Sequence, residues 1–385
     1  MVITNVTVET MCGKPIKNGF IRFEDKKIIA VSDMSEFEAQ NDEIILNFSG
    51  CYALPGLVDA HSHLGLFGDG MGAEGDDGNE ISDPATPQLR AIDGINALDR
   101  GFSEALDYGV TTVVTGPGSA NAISGQSAAV KTLGCCVDDM VIVPTLAMKM
   151  ALGENPKNTY SGRSQAPCTR MTTTAIIREE LFSAKRYLED TLRSEQDDEI
   201  DPPEYDAKCE ALLPVLRGEM AVHIHAHRAD DIFTAARIMR EFSLKGVIIH
   251  ATEAHIVAER FSKEKIPVVS GPIMGTRSKP ELLGMERNSA AVLYNNGVKL
   301  ALCTDHPEMP QEMLMLSAAI AHREGMPREA ALKAITITAA EICGLESRIG
   351  SIENGKDADI VIYEKDPISG LEKPKAVFLN GIRVR

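Results

Sequence analysis

Hydrophobic and polar positions change their period twice along the chain, and the two changes divide it into three stretches. Residues 1–53 hold short, β-branched, partly alternating runs at 2–8, 19–23, 27–31 and 43–48, separated by polar turns such as Glu24-Asp25-Lys26. Runs of this kind predict short strands. The far end repeats them at 360–363 and 376–384, the latter interrupted by Asn380-Gly381, a hairpin turn. We therefore expect a small β-sandwich domain built from both termini, residues 1–53 plus 346–385, with residues 54–345 inserted between them.

The inserted stretch alternates apolar strand-length runs with helical periodicity, the pattern of an α/β domain with a parallel sheet. Strands are predicted at 54–63, 110–115, 141–150, 220–227, 246–250, 266–271 and 298–306. Helices are predicted at 86–108, closed by Gly109, and at 229–244, 254–263, 281–296 and 310–343, closed by Gly344. The rhythm breaks at about 155–210, where a polar loop, a long helix at 171–195 and an acidic run at 195–201 form an excursion. It reads equally as a solvated insertion or as a lid. The length suits a (β/α)8 TIM barrel, which takes roughly 250 residues or more.

Composition narrows the function classes. A formal net charge of −17 argues against nucleic acid and anionic membranes as partners. The longest apolar runs are strand-length, so no membrane span is expected. The start, Met1-Val2-Ile3-Thr4-Asn5, lacks a basic region and a signal-type apolar core, and a cytoplasmic location is expected. The eight cysteines are scattered without a CxxC pair and read as small reduced core residues, with Cys303 close in sequence to Asp305.

Candidate chemistry begins at Pro55-Gly56-Leu57-Val58-Asp59-Ala60-His61-Ser62-His63. Side chains two apart on a strand share a face, so His61 and His63 aim at one point, as half of a zinc-type site does. Eight of the nine histidines, all but His322, lie at or just past the C-terminal ends of four predicted strands. In a barrel those ends meet at one rim, where active sites sit. His223, His225 and His227 share a face, and only those nearest the rim can reach a metal; His223 is expected deeper. His250 closes the next strand. Asp305 ends the last one, where a carboxylate can ligate a metal and accept a proton from water.

These residues resemble the amidohydrolase superfamily of metal-dependent hydrolases. The likeness extends from the opening motif to Gly350-Ser351-Ile352-Glu353-Asn354-Gly355-Lys356-Asp357-Ala358-Asp359. His225-Ala226-His227 and His250-Ala251-Thr252 look most like the branch of imidazolonepropionase and Xaa-Pro or Xaa-Arg dipeptidases. The resemblance implies His61, His63, His225, His250 and Asp305 as ligands of one or two divalent metal ions, zinc foremost. It also implies Lys149, in Ala147-Met148-Lys149-Met150, as a carboxylated bridge between two ions, with Glu154 a weaker substitute. Deaminases and imidazolonepropionase of the superfamily carry a glutamate three residues after the strand-five histidine, where this chain has Arg228. That departure favours ordinary amide hydrolysis.

The expected activity is hydrolysis of an amide, cyclic amide or dipeptide-like C–N bond in a small molecule by a metal-activated water, with Asp305 as proton carrier. His227, His255, Arg277 and His306 are expected to contact substrate, and relatives suggest a homo-oligomer. A mononuclear deaminase or imidazolone-type ring opening is the alternative enzyme. A non-catalytic scaffold barrel is the alternative of another class.

Overall fold

The computed structural model describes residues 1–369 and 372–385. Both termini meet in one eight-stranded sheet: Val2–Val8, Ile16–Glu24, Lys27–Asp33, Ile45–Asn47 and Tyr52–Pro55 from one end, Ile360–Tyr363, Ala376–Leu379 and Ile382–Arg383 from the other. Tyr52–Pro55 pairs antiparallel with Ile360–Tyr363, which joins the two ends of the chain. Ile3, Val6, Ile21, Phe23, Ile360 and Phe378 form an apolar core of its own under this sheet.

The inserted stretch forms the expected barrel, with an eight-stranded sheet surrounded by helices. Its strands are β1 Leu57–Ser62, β2 Val110–Thr115, β3 Ile123–Lys131, β4 Val141–Ala151, β5 Ala221–Ala226, β6 Gly246–His250, β7 Val268–Ser270 and β8 Leu300–Leu302. They follow one another in order, and the sheet closes past the ends of β8 and β1. There the Asp305 amide donates to the His61 carbonyl at 3.2 Å and the His63 amide to the His306 carbonyl at 2.8 Å.

Three departures from the expected pattern have local causes. First, β3 is an unforeseen strand and runs antiparallel to both β2 and β4. Residues 116–122 and 132–140 are too short for the crossover that a parallel pair requires. Second, within the expected 86–108 only Arg100–Asp107 is α-helical, with a single 3-10 turn at Ala91–Asp93 before it, and it starts where Asp99 Oδ1 accepts the Gly101 amide at 2.7 Å. Upstream, the backbone pairs with β3 instead, through Thr86 to Ile123 and Gln126 to Leu89, both at 2.8 Å. Third, the last helical stretch is three helices, Leu314–Arg323, Arg328–Lys333 and Ile337–Ile342, the first break lying at Gly325-Met326-Pro327.

The excursion between β4 and β5 is packed. Its long helix, Arg170–Gln196, begins at Thr169, whose hydroxyl accepts the Thr172 amide at 3.1 Å. The helix buries Ile177, Leu181 and Ala184 in the main core. A buried cation fixes the barrel to the terminal sheet: Lys131, at the end of β3, pairs with Asp359 and, at 3.1 Å, with Asp357. Asp359 also accepts the Asn380 amide at 2.9 Å. Among the described residues no helix is long and apolar enough to cross a membrane.

Candidate functional site

Two cavities flank the barrel. The larger, about 860 Å³, opens at the strand starts and is lined by residues such as Thr145, Ala221 and Gly246. The other, about 750 Å³, opens at the C-terminal rim and is lined by His63, His225, His227, His250 and Asp305. Metal-ligating chemistry gathers only at the second of these two, so we place the site there despite its smaller volume.

The alternation of β1 carries His61 to the barrel interior, and the turn after the strand carries His63 beside it. Asp305 Oδ1 stands 3.3 Å from His61 Nε2 and 3.4 Å from His63 Nε2, and its Oδ2 is 4.0 Å from His250 Nδ1. Lys149 Nζ lies 3.2 Å from His61 Nε2. Both His250 (φ 71°) and Asp305 (φ 55°) adopt left-handed backbone just where their strands end. Such conformations are costly for residues other than glycine and persist where the surroundings impose them. Here they turn two ligating groups into the barrel mouth.

Four of the imidazoles are oriented through Nδ1. His63 Nδ1 and His250 Nδ1 donate to the carbonyls of Gly116 and Gly271, both at 2.7 Å. His227 Nδ1 meets Thr252 Oγ1 at 2.7 Å, and His225 Nδ1 meets Ser119 Oγ at 3.0 Å. Partners of this kind set the tautomer and leave Nε2 free to ligate. Burial holds His61, His225 and His227 well below the ordinary histidine range and brings His250 down to about 4. Neutral imidazoles are the ligating form. Burial alone would raise Asp305, but His250 and the hydrogen bonds of His61 and His63 pull it well below the ordinary carboxylate range. Burial also brings Lys149 down to about 8, so an appreciable fraction of the amine is uncharged near neutrality.

This donor set suits a divalent cation. His61, His250 and Asp305 offer ligand atoms within 4.8 Å of one another, and so do His225, His227 and His250. Neutral nitrogen and carboxylate oxygen donors fit zinc and its first-row neighbours.

Of the candidate substrate contacts, His227 reaches the cavity, its ring stacked on His250 at 4.6 Å between centroids. The others point elsewhere. His255 Nδ1 donates to the Thr252 carbonyl at 2.9 Å, outside the cavity wall. Arg277 is half exposed and folds back on its own loop, donating to the carbonyls of Leu283 and Met285. The His306 ring lies over Gly101, at the start of the helix Arg100–Asp107. His223 is deeper in the barrel, as expected, but its Nε2 has no hydrogen-bond partner among the described residues.

Sequence reasoning passed over four residues here. Ser119, from the loop after β2, and Asn155, from the first turn of the helix Glu154–Ser161 after β4, line the cavity. Glu281, 1% exposed, sits on the turn Pro280–Leu282 with Oε1 3.7 Å and 3.6 Å from the Nε2 atoms of His225 and His227. Asp59, 0% exposed, underlies the site: its carboxylate accepts from the His61 amide (3.3 Å), the Thr304 amide (3.2 Å) and the Thr304 hydroxyl (2.5 Å). The rule that paired His61 with His63 also puts Asp59 on their face, and could have found it.

Comparison with known proteins agrees with this geometry. The amidohydrolase family profile matches residues 52–384. An amidohydrolase of Hapsidospora irregularis, tasK, is 30% identical over 95% of this chain, which spans 39% of that protein's length. Imidazolonepropionase of Fusobacterium nucleatum is 25% identical over 94% of this chain and 91% of its own. The crystal structure of an amidohydrolase from Thermotoga maritima superposes with a TM-score of 0.95 at 39% identity, covering 100% of this chain and 99% of the other. The chain belongs to the amidohydrolase family.

Proposed function

We propose that the protein hydrolyses a C–N bond of a small molecule, an amide, cyclic amide or dipeptide-like bond, using a divalent cation held by His61, His63, His250 and Asp305. The observation that carries this reading is the Asp305 carboxylate, 3.3 Å and 3.4 Å from the Nε2 atoms of His61 and His63 and beside His250, at the mouth of a 750 Å³ cavity. When bound, such a cation supplies carbonyl polarisation and a water acidic enough to ionise near neutral pH. Asp305, kept ionised by its histidine neighbours, takes the proton of the attacking water and returns it to the leaving nitrogen. His227 faces the substrate from β5. Lys149, with its amine partly uncharged, is the residue that carbon dioxide would convert to a bridging carbamate, with His225 as a further ligand. Zinc as the native metal, a cytoplasmic location and a homo-oligomeric state belong to the same proposal; elemental analysis, fractionation and sedimentation test them in turn.

Imidazolone-type ring opening is the second reading, favoured by the likeness to imidazolonepropionase. Arg228 is exposed and paired with its neighbour Asp230 at 2.8 Å, so it supplies no carboxylate to the cavity. A hydrolysis panel of dipeptides, N-acyl amino acids, cyclic amides and imidazolones decides between the two. Turnover lost on chelation and in Asp305→Asn supports the proposal. A panel with no chelator-sensitive turnover opposes it.

A further inference from the structure

Four of the eight cysteines expected in the core are instead exposed: Cys12, Cys135, Cys136 and Cys168. Cys135 and Cys136 stand together in the turn between β3 and β4. That turn leads into the start of β4, and β4 runs parallel to β5, so it lies at the end of the barrel opposite the rim. Core packing does not account for this pair of thiols.

The local backbone brings a third group to them. The chain is extended at Cys136 (φ −146°, ψ 162°) and then turns into the short helix Val137–Met140. Asp139 is the third residue of that helix, a position from which a side chain reaches back toward the residue ahead of the helix. Cys135 Sγ donates to Asp139 Oδ2 at 3.1 Å. Hydrogen bonds from Cys135 and then Cys136 hold the carboxyl below its ordinary range. The three residues each offer a ligand atom, and these atoms lie within 4.8 Å of one another. Around a tetrahedral zinc ion with bonds of about 2.0–2.3 Å, donor atoms stand roughly 3.4–3.8 Å apart. Small side-chain rotations at the surface close the difference.

We propose that Cys135, Cys136 and Asp139 bind a thiophilic divalent cation, zinc or its heavier congener cadmium, at a site separate from the rim. Two thiolates and a carboxylate are a softer donor set than the imidazoles and carboxylate of the rim, and they select such ions. As the ion binds, both thiols release their protons to solvent, and the hydrogen bond from Cys135 to Asp139 gives way to bonds from each to the ion. Exposure leaves the fourth position to water. The proposal does not depend on the reading of the rim.

The test is titration of the thiol-reduced full-length chain with Cd2+, read by the ultraviolet thiolate-to-cadmium absorption, which an ion on nitrogen and oxygen donors does not produce. Wild type should show one thiolate-bound Cd2+ per chain, displaced by Zn2+. Cys135→Ser, Cys136→Ser and Asp139→Asn should each weaken it by at least about 10-fold, a loss that partners outside the coordination sphere already cause. Cys12→Ser and Cys168→Ser should leave it unchanged. A second measurement needs no variant: Zn2+ should protect Cys135 and Cys136 from alkylation by iodoacetamide, but not Cys12 or Cys168, as read by peptide mass spectrometry. Overturning results are no thiolate-bound Cd2+ in wild type, absorption retained in the Cys135→Ser, Cys136→Ser double variant, or alkylation of Cys135 and Cys136 undiminished by Zn2+.

Discussion

Asp59 gives the most direct physical test of how the site is held. Its carboxylate joins β1 to the end of β8 by accepting three donors: the amides of His61 and Thr304 and the Thr304 hydroxyl. In Asp59→Ala the hydroxyl can turn to another acceptor, whereas the two buried amides cannot. At about 1–3 kcal/mol for each stranded donor, the loss should be about 2–6 kcal/mol. Asp59→Asn keeps one acceptor oxygen and should cost less. The pH dependence adds a sign. Burial pushes Asp59 up to about 7, against an ordinary 3.8, so the folded chain holds a proton that the unfolded chain releases earlier. Wild-type stability from this group is full below about pH 4 and is lost as pH rises through 7. By RT ln 10 per pH interval, the ceiling is about 4 kcal/mol. Urea denaturation of chelator-treated protein between pH 4 and 8 should therefore show the Asn variant gaining on wild type as pH rises. A pH-independent difference, or an Ala variant as stable as wild type, would refute the reasoning.

Further expectations concern separate parts of the fold. His223 is buried and brought down to about 3 by burial, so the unfolded state alone takes its proton below pH 6.5. Stability should fall on acidification from 6.5 toward 3, by up to about 5 kcal/mol from this residue, and His223→Gln should flatten that acid limb in denaturant titrations. Asp305→Asn should abolish turnover while retaining a cation, as read by steady-state rates beside elemental analysis. Arg277→Ala should change KM less than twofold, because Arg277 binds its own loop. Gly56→Ala should destabilise by more than about 1 kcal/mol in thermal melts, since a Cβ there would stand 2.0 Å from Thr111 Oγ1.

What could be read in advance followed period and parity. Strand alternation put His61 and His63 on one face, and the barrel's single rim drew His225, His250 and Asp305 toward them from distant segments. The terminal sheet was legible because its strands are β-branched and broken by turn residues. The strand β3 was not: Ser124-Gly125-Gln126-Ser127-Ala128-Ala129 is small and weakly apolar, and it is a strand because its neighbours bury it completely. The helix expected at 86–108 failed in its first part because the backbone at Thr86 and Leu89 pairs with β3, which sequence patterning does not register. Ser119 reaches the cavity from an aperiodic loop, and Asn155 and Glu281 from a short helix and a single helical turn whose placement is set by tertiary contacts. His255, Arg277 and His306 were placed near the cavity by sequence proximity to the rim, and local hydrogen bonds or packing turn each of them elsewhere.

The measurement that bears most directly on the central claim is divalent metal per chain by elemental analysis, on protein purified without chelator and with bicarbonate present. It should be paired with turnover of a C–N bond panel before and after chelation. The account predicts at least one equivalent of a first-row cation, lost in the His61→Asn, His63→Asn double variant together with turnover, and turnover restored to wild type by adding the metal back. A chain that carries no cation as purified, takes up none when offered it, and still turns over at an undiminished rate would contradict it.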